Sequence, residues 1–158
     1  MMKQKIYIET SVLSYLTSNP SRDVVIAGKQ QITQEWWSSK RHVYELYISE
    51  LVIEEIRRGD EREAEKRLQA IRGISIAEIN EDILRIARNI LKVVHLPQKA
   101  INDAFHIATA IHHRMHFLLS WNCKHIANPN NQRPINNISM MNGWNELIIC
   151  TPLELLGE

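Results

Sequence analysis

The chain has 158 residues, 44% of them hydrophobic, and a formal net charge of +1 at pH 7. That length suits one compact domain over residues 1–158, and the apolar content excludes a disordered chain. A near-zero average field excludes nucleic-acid binding by bulk basicity, so any such contact must come from local patches.

Residues 5–8 are β-branched and aromatic and read as a buried strand. Thr10 or Ser11 then caps a helix through Val12, Leu13, Tyr15 and Leu16, which Asn19-Pro20-Ser21 breaks. Residues 22–39 place Val25, Ile32 and Trp36 on one helical face. Residues 44–49 form a second strand, and Ser49 caps a helix that ends near Gly59. Residues 60–71 make a charged surface helix, and residues 74–79 a short strand or an extended linker. Asn80 caps a helix carrying Ile83, Ile86, Ala87, Ile90 and Leu91, which ends at Leu96-Pro97. Residues 100–113 form a helix apolar enough to be buried, with Asn102 as its natural N-cap. Residues 116–121 are a third strand, 128–131 a loop, and 147–150 a last strand before a helical turn opened by Thr151-Pro152.

No apolar run approaches the length of a membrane span, and Met-Met-Lys-Gln-Lys passes into the first strand without a signal-peptide pattern. The expectation is a cytoplasmic protein with no membrane partner. Cys123 and Cys150, the only cysteines, form no CxxC pair and are too few for a disulfide framework.

Short apolar strands alternating with helices predict an α/β protein, its parallel sheet covered on both faces. Ligands of such sheets gather beyond the carboxyl ends of the strands. Glu9 and Asn122 fall there, and Glu55 and Asp103 stand on the helices that follow. Each has a plain alternative. Glu9 and Asp103 favour a helix N-terminus, and Asn122 suits a turn. Glu54, the reserve for Glu55, can pair with Arg57 or Arg58 in solvent. A carboxylate at the mouth of a buried helix needs a partner, however, and a metal or a basic group satisfies Asp103. Glu9, Glu55 and Asp103 together suit Mg²⁺ or Mn²⁺, with Asn122 holding a water or touching phosphate and Ser120 supporting it. A bound divalent cation makes water a better nucleophile and offsets charge on phosphorus.

Seven histidines are present: His42, His95, His106, His112, His113, His116 and His125. His112 and His116 have zinc spacing, but the helix should end between them and no HExxH occurs, so zinc is not expected. His106 lies one turn from Asp103 and either assists proton transfer or packs as a core histidine.

The ordered series Ile-Tyr-Ile-Glu9-Thr-Ser, Ser49-x5-Glu55-Ile, Asn-Asp103-Ala-x-His-Ile-Ala-x-Ala, Leu-Leu-Ser-Trp-Asn122-x-Lys-His and Ile-Cys-Thr-Pro resembles PIN domains, closest to VapC-type toxin ribonucleases. The resemblance spans nearly the whole chain. It implies a three-layer α/β/α sandwich with a mostly parallel central sheet and Mg²⁺- or Mn²⁺-dependent cleavage of RNA. It also implies frequent homodimers and inhibition by a small antitoxin protein. Glu9, Glu55 and Asp103 would then be the acidic metal-site residues, and Thr10 the hydroxyl residue after the first acid. Two positions depart from the pattern: Glu9 and Asn122 each stand where the family usually has Asp. A second reading is therefore a catalytically weakened module that binds RNA or protein without cutting.

Overall fold

The apolar runs become five short strands: β1 (Lys5–Ile8), β2 (Glu45–Ser49), β3 (Ser75–Ala77), β4 (Phe117–Leu119) and β5 (Ile148–Cys150). The computed structural model describes residues 2–94 and 96–157, leaving His95 outside the described residues. All four pairings are parallel, and the order is β3-β2-β1-β4-β5. Ile6 of β1 pairs with Leu46 on one side and Phe117 on the other. The segment at residues 74–79 therefore resolves as a strand, on the sheet edge, with Ile76 half exposed.

Among the described residues, eight α-helices connect and flank the strands: α1 (Thr10–Thr17), α2 (Val24–Ser39), α3 (Glu50–Ile56), α4 (Glu61–Ala70), α5 (Glu81–Val93), α6 (Ile101–His112), α7 (Pro129–Met141) and α8 (Pro152–Leu156). From β1 to β3 the chain steps one way across the sheet; from β4 to β5 it steps the other way. Right-handed crossovers then put the two sets of connecting helices on opposite faces. The packing agrees: α2 touches α1 and α8, α1 touches α4, and α5 touches both α6 and α7. The result is the three-layer α/β/α sandwich. Ile6, Tyr7, Ile8, Ile48, Leu118 and Leu119 are fully buried, as strands covered on both faces must be. No helix among the described residues is long and apolar enough to cross a membrane.

Four local expectations need correction. Neither Thr10 nor Ser11 caps α1; the N-cap is Glu9. Val25 is 67% exposed; Trp36 is buried as expected and Ile32 packs against the core, but α2 also buries Gln30 and Thr33. Asn102 does not cap α6, because a 3-10 turn over Gln98–Ala100 leads straight into Ile101 and makes Asp103 the third helical residue. Residues 128–131 are no loop: Asn128 caps α7 and Pro129 occupies its first position. Pro134 lies inside that helix, where it lacks an N–H to donate. Tertiary contacts hold α7 in place. Ile135, Ile138 and Ser139 are buried, and the Gln132 side chain donates to the Leu147 carbonyl (2.7 Å) and accepts from the Ile149 N–H (3.3 Å).

Candidate metal centre

Because the connection leaving β1 runs to one side of the sheet and the connection leaving β4 to the other, the gap between the ends of β1 and β4 is the sheet's topological switch point, where a crevice opens. Glu9 stands at its edge. Its backbone N–H extends the ladder to the Leu119 carbonyl (3.0 Å), and its carboxylate caps α1. Oε2 accepts the Ser11 N–H (3.1 Å), while Oε1 accepts the hydroxyls of Ser11 (2.5 Å) and Ser120 (2.6 Å). Ser120 is fully buried, so two strand ends meet on one carboxylate.

Glu55 arrives from α3. Ser49 closes β2 and caps that helix, accepting the Val52 N–H at 3.3 Å. Burial of Leu51, Val52 and Ile56 fixes the helix face and turns Glu55 toward Thr10 and His106. Its Oε1 accepts the Thr10 hydroxyl at 2.6 Å and meets His106 Nε2 at 2.7 Å. Glu54 instead pairs with Arg58 at 3.6 Å, both side chains in solvent.

His106 projects from α6 and is 1% exposed. Its other nitrogen, Nδ1, lies 2.7 Å from the Tyr7 hydroxyl, which lies 2.8 Å from Ser49 Oγ. Both hydroxyls can donate or accept, so this buried chain stays paired whichever ring nitrogen carries a proton. Burial works against charge on the ring, but the bond to Glu55 and the charges of Glu9, Glu55 and Asp103 outweigh it and raise the His106 pKa. Burial likewise pushes Glu55 up, yet the hydrogen bond and charge of His106, the Thr10 bond and Arg58 outweigh it and lower its pKa. Both shifts favour the charged forms, carboxylate and imidazolium.

Asp103 lies one turn before His106, and its Oδ2 is 2.9 Å from His125 Nδ1. Asn122, just past β4, reaches no carboxylate among the described residues. Its Oδ1 accepts the His125 N–H (3.1 Å), and its own N–H donates to Ser120 Oγ (2.9 Å). A continuous chain thus runs from Glu9 through Ser120, Asn122 and His125 to Asp103.

Glu9, Glu55 and His106 offer ligand atoms that all lie within 4.8 Å of one another. Asp103 stands outside that group, although its charge reaches His106. The donors fit a divalent cation in another respect. Glu55 Oε1 and Asp103 Oδ2 are held by protein donors, while Glu55 Oε2 and Asp103 Oδ1 accept no hydrogen bond among the described residues and are not buried. Carboxylates gripped on one oxygen and free on the other are oriented to ligate.

Sequence reasoning missed Tyr7, Ser49, Ser11 and His125. The first three read as core or cap residues. His125 had one signal, an Asn three residues before it able to form a local turn onto its N–H. His112 and His116 diverge, the former to Asn80 (3.1 Å) and the latter to the Lys5 N–H (2.9 Å).

A parallel α/β/α sandwich with anchored carboxylates at its switch point defines a class in which a cation can be held against a phosphate. The PIN domain model matches residues 6–121, and the chain belongs to that family. Two solved structures are similar. One is VapC20 of Mycobacterium tuberculosis, a toxin that cleaves the sarcin-ricin loop: 19% identity, 76% of this chain and 92% of that one, TM-score 0.58. The other is VapBC2 of Rickettsia felis bound to a DNA fragment from its promoter: 11% identity, 94% and 98% coverage, TM-score 0.54. At those identities they bear on the fold. No curated protein sequence matches the chain.

Proposed function

We propose that this protein is a divalent-metal-dependent endoribonuclease, the cytoplasmic toxin of a type II toxin–antitoxin pair. The observation that carries this reading is the pair of uncommitted oxygens, Glu55 Oε2 and Asp103 Oδ1, on carboxylates whose other oxygens the protein holds. Glu9, Glu55 and Asp103 would hold Mg²⁺ or Mn²⁺, which supplies an activated water and offsets charge on the scissile phosphate. Thr10 and His106 orient Glu55, and Ser120 orients Glu9. Asn122 builds the turn beside the site. RNA is the substrate. A small antitoxin protein is the partner, in keeping with the similarity to a VapBC pair, and the toxin works as a homodimer.

One observation favours the weakened module instead. Glu9 already accepts three hydrogen bonds from the protein and has the least need of a cation. Purified protein incubated with RNA and Mn²⁺ separates the two. Cleavage that Asp103→Asn abolishes supports the nuclease; no Mn²⁺ binding by calorimetry at millimolar metal supports the module.

A further inference from the structure

Trp121 closes the crevice on the side of α1 and α2. Its backbone N–H donates to Ser11 Oγ at 2.9 Å, and that hydroxyl donates to Glu9 Oε1. Its indole Nε1–H donates to Thr33 Oγ1 at 2.7 Å, and Thr33 donates in turn to the Lys29 carbonyl at 2.6 Å. Thr33 is fully buried, so the indole and the Lys29 backbone are tied together through the core. Tyr15 meets the ring edge-on, with centroids 6.1 Å apart. The Lys29 ammonium lies 5.5 Å from the indole centroid, a cation–π contact. Lys29 is half-buried, and its Nζ enters no ion pair or hydrogen bond among the described residues.

The ring holds the charge in place but offers it no lone pair, so the ammonium keeps N–H donors to give. It has three donors and no acceptor, and a compact point charge of that kind suits a phosphate oxygen. We propose that Lys29 binds a backbone phosphate flanking the one at the carboxylates, and so holds the RNA strand along the α1–α2 side of the crevice. This rests on the nuclease reading above, which puts a phosphate at Glu9, Glu55 and Asp103. Two hydrogen bonds, through Ser11, join the Trp121 backbone to the Glu9 carboxylate, close enough for one strand to reach both places.

The test measures binding of a mixed-sequence single-stranded RNA by fluorescence anisotropy across a range of salt, with Ca²⁺ in place of Mn²⁺. One phosphate contact on a single strand contributes about 0.7 to the slope of log affinity against log salt. Lys29→Met keeps a long side chain against Trp121 without the charge and should lower the slope by about that much; Lys29→Arg should keep it. Lys40→Met, at the far end of α2, is the control. Equal falls in Lys29→Met and Lys40→Met would assign the effect to net charge and overturn the proposal. A slope unchanged by Lys29→Met would overturn it as well and point to a base edge or a protein partner. RNAs carrying a single methylphosphonate locate the phosphate. One position that weakens wild-type binding should cost Lys29→Met nothing, and a cost kept at every position overturns the contact. A further measurement needs no variant: RNA should protect Lys29, and not Lys40, from acetylation read by mass spectrometry, and an unprotected Lys29 counts against the contact. RNA bound through Lys29 without Mn²⁺-dependent cleavage would sink the nuclease reading and leave the contact standing; no RNA binding by wild-type protein would end both.

Discussion

His106 Nε2 lies 2.7 Å from Glu55 Oε1, so a ring that is 1% exposed grips a carboxylate whose other oxygen is neither paired nor fully buried among the described residues. Behind the ring stand Tyr7, in the middle of the sheet, and Ser49, the cap of α3. Glu55 is thus tied to the core by a hydrogen-bonded relay from the strand and helix that position it. A helix surface carboxylate would otherwise sample several rotamers.

Tyr7→Phe should expose the cost of that relay. It removes the partner of His106 Nδ1 and one partner of Ser49 in a fully buried place. Leaving such groups unpaired should destabilise the fold by about 1–3 kcal/mol in urea unfolding. Unchanged stability would mean that the relay is not formed.

Thr10→Val tests the other grip on Glu55, the 2.6 Å bond from the Thr10 hydroxyl. Loss of a partner that orients a ligand lowers metal affinity by about 10- to 100-fold. Calorimetry with Mn²⁺ should show a loss in that range for Thr10→Val and near-normal affinity for Thr10→Ser. Equal losses in both would show that the hydroxyl bond alone does not set the affinity.

Four strands were legible because short apolar runs separated by helical segments leave few alternatives, and Glu9 and Asn122 follow from where those runs stop. Residues 74–79 read equally as strand or linker, and only pairing with β2 makes them a strand. Helix α7 was not. Asn-Pro-Asn-Asn has turn composition, and only burial of Ile135 and Ile138 and the Gln132 bonds to β5 reveal that it caps and starts a helix. At the site, chain order brought out the acids but not their neighbours. His106 sits one turn from Asp103, yet it bonds Glu55, a residue 51 positions away. Asp103 bonds His125 across a loop. Such pairings depend on how α3, α6 and the loop after β4 lie against one another, which no periodicity encodes.

Metal-free protein should show a characteristic pH dependence. The Glu55 pKa is lowered from 4.5, so its contribution is present above pH 4.5 and is lost as pH falls through the folded value. The His106 pKa is raised from 6.5, so its contribution is present below pH 6.5 and is lost as pH rises through the folded value. Both act together between pH 4.5 and 6.5. The stability of wild type relative to Glu55→Gln, measured in chelator, should therefore be greatest in that window and decline on both sides. A difference that kept growing toward alkaline pH would show that His106 is neutral beside Glu55.

Asn122 separates charge from geometry. Its Oδ1 accepts the His125 N–H at 3.1 Å, a bond that an Asp carboxylate makes equally well and an Ala cannot. If Asn122 serves by shaping the turn that delivers His125 to Asp103, Asn122→Asp should cleave RNA within a few-fold of wild type. Asn122→Ala should lose about fivefold, the worth of one neutral hydrogen bond. An added charge close to the Asp103–His125 pair should also tighten Mn²⁺ binding in the Asp variant, measured by calorimetry. If instead the Asp variant falls as far as the Ala variant, the amide N–H₂ is what the site uses, and Asn122 touches substrate rather than holding the loop.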